Sequence, residues 1–323
     1  MKSAYKRMVP HRAQAERRFR AQVNCSARRL PESSPALVHP AQQSLLRLRR
    51  NPALIGRSPD FLKGTEMSTV RIGLLGCGSI GGFLARYILA EGATDNIELG
   101  YAFDVDEKRL QDIPAACRIT KQSDLFARPA DLVVEAAHAD LLKEVAVPMV
   151  ERSDLLLFSI TALADEAFRT ELEQTAVKCG RKVYLPHGAM IGIDGLADAG
   201  PTLKSVTVTT TKSPASLGLP PDKHTVVYQG PVRQACAKFP RNVNVHAAVA
   251  LAGLGFDRTI SRIVADPAVS TNSHLVEVEG TGYRFRIEVS SEAGGKVTGA
   301  YTPQSGLGTL KRICRGGGGL RFA

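Results

Sequence analysis

The 323-residue sequence predicts an α/β protein in which a parallel-sheet domain precedes an α+β domain with a mainly antiparallel sheet. Three observations lead to this prediction. Short apolar runs alternate with helical periodicity between residues 67 and 185, as in a parallel sheet with crossover helices. A glycine-rich turn separates the first apolar run from the first helix. After residue 186, the strands become rich in β-branched residues and two of them form a hairpin pattern.

The glycine-rich turn follows the apolar run Val70–Leu75 and has the pattern G-x-G-x-x-G. In a Rossmann-type domain the first glycine permits a tight turn, the second lets the backbone approach a pyrophosphate, and the third brings the helix close to the strand. The N-terminus of the helix then offers free N–H groups to the phosphates. We therefore expect a dinucleotide to bind at Gly76, Gly78, Ser79, Ile80 and Gly81.

The second predicted strand, Ile97–Phe103, ends at Asp104. A carboxylate at this place can accept hydrogen bonds from an adenosine ribose and disfavours a 2′-phosphate. We therefore expect Asp104 to bind the cofactor and NAD to be preferred, although Lys108 and Arg109 leave NADP open. The alternative interpretation is a glycine-rich turn followed by solvated acids.

The rest of the first domain continues the alternation of strand and helix. The helices are predicted at residues 141–150 and 164–179, the second of them followed by Gly180, which favours a helix end. Continuous apolar runs indicate buried strands of a parallel sheet at residues 131–135, 154–160 and 182–185.

The second domain begins with a β-branched run at residues 205–211, and residues 243–254 form an apolar helix that Gly255 closes. Residues 274–279 and 283–289 are the arms of the predicted hairpin. In the second arm Tyr283, Phe285, Ile287 and Val289 alternate with charged residues, so this face is expected to be buried and the other wet.

The net charge of +11 does not indicate nucleic-acid binding by the enzyme-like part of the chain. Residues 1–66 hold 14 Lys or Arg and 4 Asp or Glu, whereas the remaining residues hold 28 and 27. The first 66 residues therefore read as a disordered basic extension. We expect Met67 to be the natural start and the extension to be non-native or dispensable. An organelle transit segment, or a basic arm that binds nucleic acid or membrane, is the alternative.

The six cysteines form no C-x-x-C pair and no cluster with zinc-ligand spacing, so we expect no metal. The chain has no secretory signal, and no apolar run approaches the roughly 20 residues that cross a bilayer. These observations favour a cytoplasmic protein with free thiols and no membrane partner.

Several blocks that combine glycine, histidine and charge follow the first domain, and together they resemble the L-aspartate dehydrogenases. The resemblance runs from about Val70 to Val289. The blocks that carry it are Leu185–Ala189, Pro240–Val245, Ala252–Gly255, Asp257–Thr259 and Ala265–His274. It implies the oxidation of L-aspartate to iminoaspartate with NAD or NADP, by a homodimer. The product either feeds nicotinamide cofactor synthesis or hydrolyses to oxaloacetate and ammonia.

The resemblance also implies roles for single residues. His274 matches the catalytic histidine, and Ala189 and Asn244 match positions that contact the cofactor. Hydride removal from an amine carbon needs the neutral amine, and histidine is a suitable base because its ordinary pKa is about 6.5. By position alone, His274 could equally be a surface-loop histidine and Asn244 a helix cap.

A substrate with two carboxylates needs cations, for which Lys212 and Arg241 are the candidates. Either could instead be an ordinary solvated charge. His246, one turn into an apolar helix, is expected to be a core residue or to lie behind the site. Two rival functions remain open: another two-domain reductase of dihydrodipicolinate or homoserine type, and a catalytically silent NAD-binding sensor or scaffold.

The predicted domains are the extension at 1–66, a dinucleotide-binding domain at 67–185, a substrate domain at 186–290 and a C-terminal segment at 291–323. In the family this last segment is an apolar helix that returns to the nucleotide domain. Here Pro303–Lys311 begins plausibly but is followed by Arg312 and then by four consecutive glycines. We therefore expect a truncated or altered closing helix and a disordered tail.

Overall fold

The computed structural model of the protein describes residues 68–220, 224–292 and 299–315. The basic extension, the predicted start at Met67 and the glycine-rich tail lie outside these residues.

A six-stranded parallel sheet forms the first layer, with strand order β3-β2-β1-β4-β5-β6. This confirms the predicted Rossmann-type domain. The order reverses between β1 and β4, and ligands bind at such a switch point, beyond the carboxyl ends of the strands. The strands are β1 (Val70–Leu75), β2 (Ile97–Phe103), β3 (Arg118–Ile119), β4 (Leu132–Glu135), β5 (Asp154–Leu157) and β6 (Val183–Tyr184).

Three helices connect these strands: α1 (Ser79–Glu91), α2 (Ala139–Val150) and α3 (Glu166–Cys179). The ends of α3 show why the helix forms where it does. The Asp165 side chain accepts a hydrogen bond from the Phe168 amide at the start. Gly180 takes the left-handed conformation at the end, with φ of 64°.

The second layer is a five-stranded sheet with strand order β11-β10-β7-β9-β8. The β7–β9 pair is parallel and the other three pairs are antiparallel. The sheet is therefore mainly antiparallel, as predicted. The sequence patterns did not predict β8 or β9. The strands are β7 (Leu203–Lys212), β8 (Thr225–Pro231), β9 (Ile260–Ala265), β10 (Thr271–Gly280) and β11 (Tyr283–Glu292).

The helices of this part are α4 (Ile193–Ala199), α5 (Val232–Lys238) and α6 (Asn244–Ala252). Helix α6 ends at Ala252, two residues earlier than predicted, and Gly253 donates its N–H to the carbonyls of Val249 and Ala250. Gly255, the residue predicted to close the helix, has φ of 83° and donates its N–H to the Ala250 carbonyl at 2.8 Å.

Strands β7 and β10 each bury alternate side chains, and the chemistry of the buried row changes along the strand. The apolar end consists of Val206 and Val208 on β7 and of Val276 and Val278 on β10. The other end of the two rows is polar and carries the buried side chains of Thr210, Lys212, Asn272 and His274.

The inner face of β11 differs from the prediction of full burial. Tyr283 is exposed, and Phe285, Ile287 and Val289 are half-buried against the core. Strand β11 is at the edge of its sheet and pairs only with β10 among the described strands, so less of the protein covers it.

The closing helix extends past the charged pair at which the sequence predicts a truncated or altered end. Helix α7 (Tyr301–Cys314) has 14 residues and packs against α1. Leu310 and Cys314 lie buried in one cluster with Leu84, because apolar residues continue at helical spacing past the charged pair at 311–312. Lys311 forms a salt bridge of 3.2 Å with Asp95 that ties the helix to the first domain.

Within the described residues, no helix is long and apolar enough to cross a membrane. Over the same residues, no group of three or more His, Cys, Asp or Glu side chains is placed to hold a metal ion. The described cysteines are free thiols. Burial raises the pKa of the Cys77 thiol, inside the glycine turn, to about 12. The thiol therefore stays protonated near pH 7 and is unreactive, so Cys77 has a packing role only.

Candidate active site

The glycine turn at Gly76–Gly81 has the shape that a pyrophosphate needs. Gly76 has φ of 86°, and a Cβ there would lie 2.7 Å from the carbonyl oxygen of Ala136. A Cβ on Gly81 would lie 1.8 Å from the carbonyl oxygen of Gly76. At Gly78 the nearest described atom would be Nη1 of Arg109, 3.9 Å away. Packing therefore requires glycine at positions 76 and 81. Gly78 instead leaves open space at the N-terminus of α1, where phosphate can approach.

Asp104 lies immediately behind this turn and is 4% exposed. Its carboxylate accepts hydrogen bonds from the Cys77 amide at 2.8 Å and the Asp106 amide at 2.9 Å. Arg109 Nη1 lies 3.4 Å from the same carboxylate. A carboxylate has about four acceptor positions, so capacity for a ribose hydroxyl remains. The structure thus adds a second task for Asp104, which is to anchor the glycine turn.

A cleft that is open to solvent and has a volume of about 100 Å³ lies beyond the carboxyl end of β5, with Phe158 and Ile160 in its lining. It brings together six residues that the sequence singled out: Ile80, Ala189, Lys212, Arg241, Asn244 and His274. The other five, Gly76, Gly78, Ser79, Gly81 and Asp104, lie in or behind the glycine turn. Sequence reasoning missed the cleft residues Phe158, Val245, Ala248, Gly299 and Thr302.

Asn244 connects the two layers at the edge of the cleft. Its side-chain oxygen accepts a hydrogen bond of 3.0 Å from the Thr161 amide, in the turn after β5. The Thr161 hydroxyl donates to the carbonyl of Pro240 at 2.9 Å. Asn244 is the first residue of α6 and Val243 is the cap, so the helix-cap alternative is wrong. The amide nitrogen of Asn244 donates to none of the residues that the structure describes, so it can donate to a ligand.

Lys212 is an unusual cation because it is 2% exposed yet lines the cleft. Its Nζ lies 3.4 Å from the side-chain oxygen of Asn242. Burial lowers the pKa of Lys212 to about 8, since the charged form loses hydration. The solvated-charge alternative is therefore wrong for Lys212. Arg241 also lines the cleft but is exposed, so it lies at the rim.

His274 is the buried imidazole of the cleft, with 6% of its surface exposed. It lies within β10, and not on a surface loop, directly across from Thr210 on β7. Its Nδ1 is 2.8 Å from the Thr210 hydroxyl. Burial, with a smaller contribution from the Lys212 charge, lowers the pKa of His274 to about 4. The ring is therefore neutral near pH 7 and has one nitrogen without a proton.

His246 lies behind His274 and is fully buried. Its Nε2 is 2.6 Å from the Thr210 hydroxyl and its Nδ1 is 2.7 Å from the Ser261 hydroxyl. The sequence placed His246 in the core or behind the site, and the structure agrees. Thr210 and Ser261 were missed. The alternation of β7, which gives Thr210 the same face as Lys212, is the signal that could have identified Thr210.

Two family models match the chain. The one described as "Homoserine dehydrogenase, NAD binding domain" matches residues 76–186, and the one described as "Aspartate dehydrogenase, C-terminal" matches residues 194–313.

Similar proteins come from archaea, bacteria and animals. The L-aspartate dehydrogenase of Methanosarcina acetivorans is 35% identical over 265 residues, 76% of this chain and 97% of that protein. The aspartate dehydrogenase domain-containing protein of Xenopus tropicalis is 34% identical, over 79% of this chain and 98% of that protein. A crystal structure of aspartate dehydrogenase from Thermotoga maritima has a TM-score of 0.64 and 29% identity, and the match covers 79% of this chain and 99% of that chain.

Proposed function

The chain belongs to the L-aspartate dehydrogenase family, and on that basis we propose that it oxidises L-aspartate to iminoaspartate, with NAD or NADP, in the cleft around His274. The observation that carries this proposal is the pairing of a neutral imidazole and a buried ammonium in one cleft, beside a glycine turn shaped for a dinucleotide. In this proposal residues 67–185 bind the cofactor and residues 186–290 bind the substrate.

Lys212 and Arg241 each bind one of the two carboxylates of the substrate. Lys212 holds the carboxylate that enters the cleft, because a buried ammonium gains most from a charge-assisted hydrogen bond. Arg241, at the rim, holds the carboxylate nearer to solvent. A bound carboxylate also offsets the Lys212 charge, which relieves the smaller of the two causes that lower the pKa of His274.

His274 acts as the base. The substrate enters as an ammonium, which has no lone pair to stabilise the cationic carbon that hydride loss creates. Transfer of one ammonium proton to the ring nitrogen that has none breaks an N–H bond and moves the positive charge to the imidazole. The neutral amine can then form a C=N bond as the hydride leaves.

The cofactor residues fit a nicotinamide dinucleotide. When bound, the cofactor supplies the acceptor for the hydride. The glycine turn would hold its pyrophosphate, and Ala189 and the Asn244 amide would contact its nicotinamide end. Asp104 favours an adenosine ribose without phosphate, whereas Arg109, which is half exposed beside it, offers a partner for a 2′-phosphate. This arrangement is compatible with both NAD and NADP.

The rival functions are not favoured. The homoserine-type model matches only the nucleotide-binding part, which many dehydrogenases share. The cleft residues Lys212, Arg241, Asn244 and His274 all fall within the aspartate dehydrogenase match. A silent NAD-binding sensor would not need a buried base and a buried cation in one cleft.

Formation of NADH or NADPH, followed at the reduced cofactor's absorbance, tests the proposal directly. L-Aspartate should be turned over at least about tenfold faster than L-homoserine, L-malate or D-aspartate. Faster turnover of one of these competitors would overturn the substrate assignment. Tight NAD binding without turnover of any of them would favour the silent protein.

We also propose that the protein is a cytoplasmic homodimer. The free thiols support a reducing compartment. The half-buried apolar row of β11 and its position at the sheet edge support pairing with a second copy. Light scattering in solution measures the mass, and a monomer at micromolar concentration would contradict the dimer.

A further inference from the structure

A chain of four buried side chains leads from the cleft into the interior of the second sheet. His274 contacts Thr210, Thr210 contacts His246, and His246 contacts Ser261, at 2.8, 2.6 and 2.7 Å. None of the four is more than 6% exposed. They belong to β10, β7, α6 and β9, so four separate elements must pack together to build this chain.

The Thr210 hydroxyl restricts the protons of both imidazoles. A hydroxyl has one proton and two lone pairs, so it can donate to at most one ring and must accept from at least one. Both rings are neutral near pH 7, because burial lowers the pKa of His246 to about 3 and that of His274 to about 4. Three arrangements are therefore consistent with these contacts: Thr210 donates to His246 and accepts from His274, donates to His274 and accepts from His246, or accepts from both rings. His274 carries its proton on Nδ1 in the first and third arrangements and on Nε2 in the second.

We propose that Thr210 and His246 are positioning residues that hold His274 with Nδ1 protonated and Nε2 unprotonated, so that Nε2 serves as the base in the cleft. This inference rests on the proposed function, because only oxidation of an ammonium substrate requires a proton acceptor there. In this arrangement Thr210 donates to His246 Nε2, and His246 Nδ1 donates to Ser261.

The chain positions His274 and does not carry protons away. Ser261 is fully buried, and the charges that lower the pKa of His246, those of His274 and Lys212, lie at the cleft end. A proton that passed along the chain would therefore end in the interior of the protein and not in solvent. The proton taken from the substrate stays on His274 Nε2, the new imidazolium donates its Nδ1–H to Thr210, and the proton leaves through the open cleft after the product.

A matched pair of threonines tests the proposal. Thr210→Val removes the shared hydroxyl and keeps the shape of the side chain. Thr259→Val is the control, because Thr259 is also fully buried and its hydroxyl has no hydrogen-bond partner among the described residues. Thr210→Val should lower kcat by about 10- to 100-fold and leave the KM for NAD within about twofold. Thr259→Val should keep wild-type kcat, and Thr210→Ser should restore most of it.

A second measurement does not depend on turnover. In protein with isotope-labelled histidine, nuclear magnetic resonance of the ring nitrogens distinguishes the two tautomers, and His274→Ala and His246→Gln assign the signals. We expect His274 in the wild-type protein to carry its proton on Nδ1, and the Thr210→Val variant to show a mixture.

Either of two results would overturn the inference: a wild-type His274 protonated on Nε2, or a folded Thr210→Val variant with wild-type kcat. If the wild-type protein oxidises no L-aspartate, the proposed function fails. The resonance measurement then still decides the arrangement of protons, so the two failures can be told apart.

Discussion

The glycine turn and the histidine chain are built in opposite ways. The turn is one continuous stretch, Gly76–Gly81, whose function depends on backbone shape and on the absence of side chains. The chain from His274 to Ser261 consists of side chains from four elements, and its first contact, between His274 and Thr210, joins residues 64 positions apart. In the proposed function, cofactor binding thus depends on local backbone geometry, whereas the chemistry depends on how the second sheet and α6 pack.

The largest effect is expected from a substitution in the histidine chain. His274→Ala removes the base, so kcat with L-aspartate should fall by roughly 10²-fold or more. The affinity for NADH, measured by fluorescence titration, should stay unchanged because the glycine turn is untouched. An unchanged kcat would remove His274 from its role, and a parallel loss of NADH affinity would show that the two regions are not separable.

A substitution of Lys212 tests whether this buried residue binds the substrate. Lys212→Met removes a charge-assisted hydrogen bond, so the KM for L-aspartate should rise about 10- to 100-fold while the KM for NAD stays unchanged. The matched control is Lys204→Met on the exposed face of the same strand, which should behave as wild type.

Succinate lacks the amine of the substrate. Its binding therefore reports the charge of Lys212 without the proton transfer to His274. A lysine is charged below its pKa, and that of Lys212 is about 8. Inhibition by succinate should therefore weaken about tenfold between about pH 7 and pH 9 in the wild-type enzyme. The Lys212→Met variant should show no such dependence. Equal pH dependence in both proteins would assign the carboxylate to another cation.

The smallest effects are expected at the turn, where two glycines should respond differently to the same substitution. Gly78→Ala meets open space, so it should leave Tm unchanged but weaken NAD binding by about tenfold, because the methyl group occupies the path of the pyrophosphate. Gly81→Ala places a methyl group against the Gly76 carbonyl, so it should lower Tm by several degrees. Calorimetry and NAD titration distinguish the two outcomes, and equal loss of Tm in both would contradict the separation of packing from binding.

Different parts of the fold were predictable for different reasons. The strands of the first sheet are short apolar runs with helices between them, and this pattern is local. Strands β8 and β9 were missed because their pairing, rather than a clear alternation, stabilises them. The sequence predicts a truncated or altered α7 because charged residues at 311–312 and then glycines interrupt the apolar pattern. Its buried contacts with α1 preserve it instead, and these contacts cannot be read from local composition.

The sequence by itself determined the plan of two sheets, the glycine turn, the family and six of the residues that line the cleft, because each follows from a local pattern or from a resemblance. The tertiary structure alone decided that Lys212 is buried, that Asn244 bonds the turn after β5, and that Thr210 joins two histidines. Burial and hydrogen bonding between distant segments arise only when the elements pack, and they set the charge and proton positions on which the chemistry depends.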